Sequence, residues 1–475
     1  MKTQVMQRDP IDLRSAAVGR LFRRFLVPTV LGMLFSAVFI LTDGIFVGRG
    51  IGSDALAAVN IAAPLFTLGT GLGLMFGMGG SVVASIHLAQ GKPRIAAINI
   101  TQAVVLPTLA VLLLSAATIL SAQPLLGLLG TPPELLADAR RYLVCFALFL
   151  APLALFNILM FIVRLDGSPR FAMAANLVAA GLNILLDYLF IFVFGWGLPG
   201  AAIATGIGYI VGVAMMLRYM RRRSRTLRFV QLKLSSRSLR LAFRNLGYMA
   251  VIGFPALLSE AAISCLMVVG NHTFIRYVGK DGVAAFSVAC YLFPIVFMVY
   301  NGILQSAQPI ISYNYGARNA DRVKATFKLL LKSSLCYSAL LWAAVMLFPQ
   351  VFVSMFTPDP ALLAFSKTAL RIYMACMVLF GIQIACQMTF TSLGNAKASI
   401  LVAVMRKFIL LIPLIYILPQ ILRADKTTAI YMAEPVADFL AVSFTVVLFT
   451  FQFKKVLAQM AGDEKRDKGI RSQTE

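Results

Sequence analysis

The sequence predicts an all-α integral membrane protein whose twelve transmembrane helices form two pseudo-symmetric six-helix bundles. Hydrophobic residues make up 60% of the 475 residues and charged residues only 13%, whereas soluble globular chains have about 45–50% apolar and about 25% charged residues. Apolar stretches of about 20 residues, each able to cross a hydrocarbon core of roughly 30 Å, recur along the chain. The sequence also contains an internal repeat, whose two copies are offset by about 227 residues.

The internal repeat is visible in short motifs. Gly52-Ser-Asp-Ala-Leu-Ala-Ala58 returns as Gly279-Lys-Asp-Gly-Val-Ala-Ala285, and Pro28 returns as Pro255. Each copy is long enough for six spans. Because six crossings bring the chain back to its starting side, both halves enter the membrane from the same side. They are then related by an axis along the membrane normal, with a cavity between them.

The division into halves sets the order of the elements. Residues 1–24 are polar and basic, without a cleavable signal peptide, and are expected to form a cytoplasmic interfacial segment. Next come an N-terminal lobe over 25–220, a basic cytoplasmic linker over 221–245, a C-terminal lobe over 246–453 and a charged cytoplasmic tail over 454–475. The predicted spans cover 25–47, 56–80, 98–120, 142–163, 171–194, 199–219, 247–274, 283–308, 327–348, 368–392, 399–420 and 429–452.

The net charge of +24 follows the membrane topology. Most Lys and Arg residues lie in the N-terminal segment, the even-numbered loops and the tail, as the positive-inside rule expects of cytoplasmic segments. We therefore predict a multi-pass protein of the cytoplasmic (inner) membrane with both termini cytoplasmic. The densest run, Arg218 to Arg244, is expected to lie against anionic lipid headgroups. Membrane lipids are thus predicted partners, and nucleic acid is not.

A few acidic residues lie inside the spans of the first half. Such a residue costs about 2.5–3.5 kcal/mol at the bilayer centre, so each one indicates a function or a partner. Asp187 in helix 5 shares a helix face with Asn183, and Asp43, Tyr142 and Thr205 lie in helices 1, 4 and 6. These oxygen donors suit a hard cation such as sodium at Asp43, Asn183, Asp187 and Thr205. They also suit a proton shared between two carboxylates.

The second half lacks this set of residues. At the repeat offset, the five positions become Gly270, Ala369, Leu410, Leu414 and Met432. A purely structural network would be expected in both copies. The asymmetry therefore favours a functional cation or proton site in the first half over hydrogen-bonded packing. The coupling ion is expected to be a proton or sodium, and no cofactor is expected.

The second half has its own acidic residues. Glu260 in helix 7 either faces the central cavity, where it would attract a cationic substrate, or is satisfied by a neighbouring helix. Glu434 and Asp438, one turn apart in helix 12, are expected to be solvated near its outer end. Arg406 and Lys407 are expected near a helix end.

Motifs of other protein classes are absent from the sequence. His87 and His272 stand alone, without a second His or Cys at metal-binding spacing. There is no GxxxxGK[ST] loop for ATP and no Gly-x-Ser-x-Gly elbow for hydrolysis. We therefore expect a protein that is not an enzyme.

Several motifs occur in the same order as in a known family. Because of these motifs, residues from roughly 20 to 453 resemble the multidrug and toxic compound extrusion (MATE) family of cation-coupled efflux transporters. The resemblance implies two six-helix lobes, antiport of organic cations against inward sodium or protons, and a first-lobe cation site of Asp43, Tyr142, Asn183, Asp187 and Thr205. The motifs are Asp43-Gly-Ile-Phe-Val-Gly-Arg49, Gly167-Ser-Pro-Arg170, Asn183-Ile-Leu-Leu-Asp187, Gly200-Ala-Ala-Ile-Ala-Thr205 and Gln308-Pro-Ile-Ile-Ser-Tyr-Asn-Tyr-Gly-Ala317.

The chain departs from part of the family in its second half. Some branches use a helix 7 glutamate together with an acidic residue in helix 10, where this chain has Gln383 and Gln387. A second-lobe cation site is therefore not expected. Glu260, Gln383 and Gln387 are instead predicted to line the substrate cavity.

These observations predict a secondary active antiporter that exports hydrophobic, mainly cationic compounds. One chain supplies both lobes, so a monomer can function. A flippase for a lipid-linked oligosaccharide or related polar lipid is an alternative, but it would favour a basic cavity, and Arg164, Arg371 and Arg406 are expected near span ends. A membrane enzyme acting on lipid would need a clustered acid/base or metal site. A purely structural protein would not explain the one-sided buried acids.

Overall fold

The computed structural model describes residues 12–129, 131–224, 226–233, 235–277, 280–354, 360–422 and 426–472. Within these ranges, the description leaves out the side chains of residues 53, 56, 264, 266–268, 270–272, 274–277, 280–295, 360–362, 426–427 and 463–472. Within these ranges the chain consists of helices and turns, with no strand. In a hydrocarbon core, a helix satisfies its backbone polar groups within itself, which is why the apolar stretches fold this way.

The helices of the first half begin near the N-terminus and end before the basic linker. They are α1 (Val18–Gly50), α2 (Ser53–Ala89), α3 (Pro93–Leu120), α4 (Ala122–Leu128), α5 (Leu136–Ala147), α6 (Leu150–Leu165), α7 (Pro169–Asp187) and α8 (Gly197–Arg222). A π-helical segment, Tyr188–Val193, continues α7.

The helices of the second half repeat this order. They are α9 (Ser236–Tyr277), α10 (Lys280–Gly316), α11 (Ala320–Leu347), α12 (Pro349–Ser354), α13 (Pro360–Tyr373), α14 (Met377–Ser392), α15 (Ala396–Val404), α16 (Ile412–Ile421) and α17 (Lys426–Ser472). A π-helical segment, Met405–Leu411, joins α15 to α16.

Among the described residues, nine helical segments are long and apolar enough to cross a membrane. Two bent pairs each make one further span: α5 with α6, bent by 46°, and α13 with α14, bent by 44°. The 37-residue α10 is the remaining long helix. The predicted fold class, an all-α membrane protein of two six-helix bundles, is confirmed.

Helix ends depart from the predicted boundaries where the sequence is basic. Helix α1 starts at Val18 within the predicted interfacial segment, and α9 starts at Ser236 within the predicted linker. Helix α17 continues to Ser472. Lys and Arg side chains let a helix extend beyond the hydrocarbon, because their aliphatic stems lie along apolar surface while their charges reach water.

The internal repeat is present in the backbone conformation. The break between α5 and α6 follows Ala147, and the break between α13 and α14 follows Tyr373, one repeat apart. The turns before α7 and α15 contain Gly167 and Gly394 with φ of 84° and 72°, a conformation that glycine adopts without a steric penalty. Pro169 then occupies the first turn of α7, where a missing N–H costs nothing.

The two lobes meet mainly through four helices. Within the first lobe, α1 packs against α7, α7 against α8, and α2 against α6; within the second, α11 packs against α14 and α14 against α17. Between lobes, α2 packs mainly against α9, and α1 against α10. The cavity between the lobes is bordered by the first two long helices of each half and by α6, α7 and α8 of the first lobe.

Helices α2 and α9 are in backbone contact. A Cβ atom added at Gly79 would overlap the backbone of Met249, and one added at Gly253 would overlap the backbone of Met75. Glycine permits such close approach between membrane helices. We call the membrane face at which α1 begins and α17 ends the terminal side. The contact lies in the half of each helix nearer the terminal side, so the lobes are closely packed there.

Candidate functional site

A polar seam joins α1 to α7. The Asn176 amide Nδ2 donates to the Gly32 carbonyl oxygen at 2.7 Å and to the Ser36 Oγ at 2.8 Å. Asn176, Asn183 and Asp187 are spaced by seven and four residues, so they lie on one face of α7. This face is turned towards α1, which carries Asp43.

The structure brings the five predicted site residues together. The Asp43 and Asp187 carboxyl groups lie within hydrogen-bonding reach of each other, an arrangement that needs a proton on one of them. The Asn183 Nδ2 donates to the Thr205 Oγ1 at 3.0 Å. The Tyr142 side chain is close enough to both carboxyl groups for electrostatic interaction. The role of these residues in ion binding stays a prediction.

Asp187 is buried and Asp43 is half-buried, and the described residues supply no counter-charge to either. Asp187 has 0% and Asn183 2% of their surface exposed. Oδ1 of Asp43, both oxygens of Asp187 and Oδ1 of Asn183 accept no hydrogen bond from the groups that the structure describes. A buried carboxylate without a partner is strongly unfavourable. A proton or a cation bound between the two carboxyl groups would remove this cost.

The donor set fits a hard cation as well as a proton. The Asn183 amide nitrogen is engaged by Thr205, which leaves its oxygen available beside the two carboxyl groups. Carboxylate, amide and hydroxyl oxygens are the ligands that hard cations prefer. Sodium at Asp43, Asn183, Asp187 and Thr205 thus remains compatible with the geometry.

Sequence reasoning missed two polar neighbours of the site. Tyr209 follows Thr205 by one turn on α8 and interacts electrostatically with Asp43. Asn176 holds α1 to α7, as described above. Both lie on the helix faces of predicted site residues, at spacings of four and seven, so continuing the polar face along each helix would have found them.

A cavity of about 260 Å³ adjoins the site and lies between the lobes. Asn183, Thr205 and Tyr209 line it from the first lobe, so the ion-site residues and the cavity share a wall. Glu260 and Phe297 line it from the second lobe.

Glu260 faces the central cavity, which answers one of the questions left open by the sequence. No hydrogen bond or ion pair joins Glu260 to another residue within the described part of the chain. Gln383 and Gln387 do not line this cavity, so their predicted place there is wrong. They line a neighbouring pocket of about 40 Å³, together with Phe297. Their helix, α14, packs on the far side of Phe297 from the cavity.

The prediction that Glu434 and Asp438 are solvated is wrong. Each has 3% of its surface exposed. The Arg406 Nη2 donates to Glu434 Oε1 at 2.8 Å and the Arg406 Nε donates to Asp438 Oδ1 at 2.5 Å. The Lys407 Nζ donates to Glu434 Oε1 at 3.3 Å. Arg406 and Lys407 lie well inside the span 396–421, in its π-helical segment, so they face α17 at depth instead of marking a helix end.

The acidic residues of the two lobes therefore differ in whether they have a basic partner. The span containing Arg406 and its partner α17 are the repeat counterparts of α7 and α8. At the repeat offset Arg406 corresponds to Ala179 and Glu434 to Ile207. In the second lobe the protein's own cations neutralise the acids. In the first lobe, the described residues supply no cation to Asp43 and Asp187.

Comparisons with known proteins agree with this architecture. A family model, MatE, matches residues 28–189 and 255–417, so its two matched segments begin one repeat apart. The multidrug export protein MepA of Staphylococcus aureus (strain NCTC 8325 / PS 47) is 25% identical over 405 residues, covering 84% of this chain and 87% of MepA.

Two solved structures share the fold. A crystal structure of MATE in the bent conformation has a TM-score of 0.86 and 21% identity, covering 95% of this chain and 99% of that one. An outward-facing multidrug resistance MATE family transporter of the MOP superfamily also has a TM-score of 0.86 and 21% identity, with coverage of 94% and 99%. With more than half of its length matched by the family model, the chain belongs to the MatE family and is a membrane transporter, not an enzyme.

Proposed function

We propose that the protein is a secondary active antiporter that exports hydrophobic, mainly cationic compounds in exchange for inward protons or sodium. The observation that carries the proposal is the pair of half-buried Asp43 and buried Asp187, which lacks a counter-charge among the described residues and adjoins a cavity between two lobes. The relative MepA, named as a multidrug export protein, supports the substrate class.

The cavity wall supports hydrophobic cations as substrates. Aromatic and methionine side chains, among them Phe39, Phe66, Phe156 and Met160, form much of it. Aromatic faces attract cations, and methionine repacks around ligands of different shape. Glu260 adds a carboxylate that a cationic substrate can neutralise.

Coupling follows from the helices that the ion site and the cavity share. Asp43 and the cavity-lining Ser36 lie on α1, while Asp187 and the cavity-lining Asn183 lie on α7. A proton or cation between the carboxyl groups removes their repulsion and holds α1 against α7. Its loss lets α1 move and changes the cavity wall. An ion that favours one arrangement and a substrate that favours the other therefore compete, which yields antiport.

The π-helical segment Tyr188–Val193 begins directly after Asp187. Such segments are often found at functional sites, where they interrupt the regular hydrogen-bond ladder. This segment provides a local point at which α7 can change its packing when the charge state of Asp187 changes.

We place the terminal side in the cytoplasm because the basic linker and tail lie there. The protein would then work in the cytoplasmic membrane as a monomer, with both lobes from one chain and no cofactor besides the coupling ion. In the proposed cycle, the lobes separate on the cytoplasmic side to admit substrate and close there to release it outside.

Transport by proteoliposomes tests the proposal. A fluorescent cationic dye should move against an imposed proton or sodium gradient with wild-type protein, and Asp187→Asn should abolish gradient-driven movement because an amide cannot bind and release the ion. Glu134→Gln, at an exposed position, serves as the control and should transport normally. Unchanged transport by a folded Asp187→Asn variant would refute the assignment.

One observation keeps the flippase as a second candidate. Arg164 lies near a span end, as expected, because it is the penultimate residue of α6, but its side chain lines the central cavity. A diphosphate carries several negative charges, however, and Arg164 is the one Lys or Arg among the described residues that line the cavity. Flipping of a fluorescent polyprenyl diphosphate sugar by the same proteoliposomes, unaffected by Asp187→Asn, would favour the flippase.

A further inference from the structure

We infer that the central cavity contains an anion subsite at Arg164, so that the transporter accepts zwitterionic compounds. Their cationic group would lie near Glu260, and their anionic group would be held by the Arg164 guanidinium. This inference rests on the proposed function and specifies its substrate class.

Arg164 is a buried cation in the cavity wall. It is the penultimate residue of α6, yet only 3% of its surface is exposed. Its side chain leans back towards the helix N-terminus and thus reaches into the bundle. The Nη1 group donates to the Gln305 Oε1 of α10, which is a neutral acceptor from the other lobe. The Nε group has no partner among the described residues.

The nearest acid in the sequence does not neutralise Arg164. Asp166 accepts hydrogen bonds from the Tyr219 hydroxyl at 2.7 Å, the Ser224 hydroxyl at 3.1 Å and the Leu227 N–H at 3.1 Å. It therefore fixes the start of the basic linker. Within the described part of the chain, no ion pair involves Arg164. A buried guanidinium without a counter-charge is costly, so a ligand that supplies one is favoured.

The guanidinium geometry suits a carboxylate. Arginine presents five N–H donors in a planar fork, and two parallel donors can hold both oxygens of one carboxylate. With Nη1 bound to Gln305, the edge that contains Nε remains for such a pair. The amides of Asn157 and Asn301 line the same cavity and can add neutral hydrogen bonds. A sulfonate or phosphate monoester would meet the same chemistry.

The second charge of the cavity lies on the opposite lobe. Glu260 of α9 and Arg164 of α6 both line the cavity, but they form no ion pair with each other. A purely cationic ligand compensates only Glu260, whereas a zwitterion compensates both. The cavity therefore favours ligands that carry both charges.

The Arg164–Gln305 bond joins the two lobes. When the lobes separate on the terminal side, Arg164 loses this bond, and its Nη1 group can add a further hydrogen bond to an anion held at the Nε edge. When they close, the Gln305 oxygen competes with that anion for the Nη1 group. The subsite would then bind the anion more tightly before closure than after it, which favours release on the far side.

A matched pair of fluorescent dyes tests the inference. A rhodamine ethyl ester is a permanent cation, and the free acid of the same rhodamine is a zwitterion of nearly the same shape. Binding of each dye to purified full-length protein in nanodiscs is measured by fluorescence anisotropy, and export of each by proteoliposomes under an ion gradient. The reported quantity is the ratio of the two affinities.

Arg164→Gln should weaken binding of the free acid about tenfold or more relative to the ester, because a charge-assisted bidentate contact is lost. Gln305→Glu offers a second test that keeps the arginine. Its carboxylate would pair with Arg164 and should remove the preference for the free acid in the same way. Glu260→Gln is the matched control and should weaken both dyes, since both carry a cation.

The outcomes separate the inference from the proposed function. Equal losses for both dyes in Arg164→Gln and Gln305→Glu, or no loss in either folded variant, would overturn the anion subsite while leaving cation export intact. Failure of folded wild-type protein to bind or move either dye would overturn both. Protein folding is checked for each variant by size-exclusion profile and thermal unfolding.

Discussion

At the scale of single residues, the two lobes differ in whether a basic side chain pairs with their acidic residues. In the second lobe Glu434 and Asp438 are neutralised by Arg406 at 2.8 and 2.5 Å. In the first lobe the described residues supply no cation to Asp43 and Asp187, and Oδ1 of Asp43 and both oxygens of Asp187 accept no hydrogen bond from described groups. In the second lobe, the charges of the acids are thus neutralised within the protein itself. The acids of the first lobe have no such cation among the described residues, and this contrast is the main support for the proposal that the coupling ion binds in the first lobe.

The charged cluster of the second lobe should be structural. Arg406→Gln would leave two acids buried without their cation, and breaking such a pair costs about 3–5 kcal/mol. We expect a clear fall in Tm in a thermal unfolding assay, partly reversed by acid, because protonation of the acids removes the unpaired charge. Arg371→Gln, at an exposed arginine of the same lobe, should change Tm little.

A small effect of Arg406→Gln, similar to that of Arg371→Gln, would contradict this role. It would mean that Lys407, which also pairs with Glu434 at 3.3 Å, compensates the acids by itself.

At the scale of helices, glycine positions decide where the lobes touch. Gly253 of α9 meets the backbone of Met75, whereas Gly247 of the same helix has open space around it. The α2–α9 contact thus depends on the absence of a side chain at a particular turn. Because it lies towards the terminal side, this contact sets how tightly that side closes.

Gly253→Ala should loosen the closed terminal side. The added methyl group cannot fit against the Met75 backbone, so the lobes must separate. Spin labels at Lys92 and Lys397, exposed residues on the terminal side of different lobes, should report longer distances in a background without the native cysteines.

Gly247→Ala is the matched control for this prediction. The same substitution in an open position should leave the distances unchanged and slightly favour the helix, since alanine has the higher helix propensity. Equal distance distributions in both variants would show that the α2–α9 contact does not limit closure.

At the scale of the whole molecule, several polar contacts add to closure of the terminal side. The Asn245 Nδ2 of α9 donates to Asn99 Oδ1 at 2.7 Å on α3. The Arg322 Nη2 of α11 donates to the Leu13 and Ala16 carbonyl oxygens at 3.1 and 2.8 Å. Separation of the lobes on this side breaks these bonds, so the energy of ion and substrate binding must offset their loss.

Much of this architecture could be predicted from the sequence because it depends on local composition. Apolar length sets the spans, and the repeat sets the two lobes. The spacing of Asn183 and Asp187 sets a helix face. These features need no knowledge of which helices are neighbours.

The depth of a charged or polar side chain in the bundle, and the residue it pairs with, could not be predicted from the sequence in the same way. Arg164 does lie at the end of α6, but its long side chain lines the central cavity. Arg406 lies inside a span instead of at its end, in a π-helical segment that faces α17. The burial of Glu434 cannot be predicted from the sequence, because its partner Arg406 lies on another span. Gln383 faces a separate pocket because Phe297 stands between α14 and the cavity. Each case depends on contacts between helices.

The central claim is that the ion at Asp43 and Asp187 and the substrate in the cavity exclude each other. Addition of a cationic dye to purified protein in weakly buffered solution, with released protons and sodium measured directly, tests it. We predict that dye binding releases a proton or a sodium ion from wild-type protein and none from Asp187→Asn. Dye binding without release from wild type, or equal release from Asp187→Asn, would contradict the account.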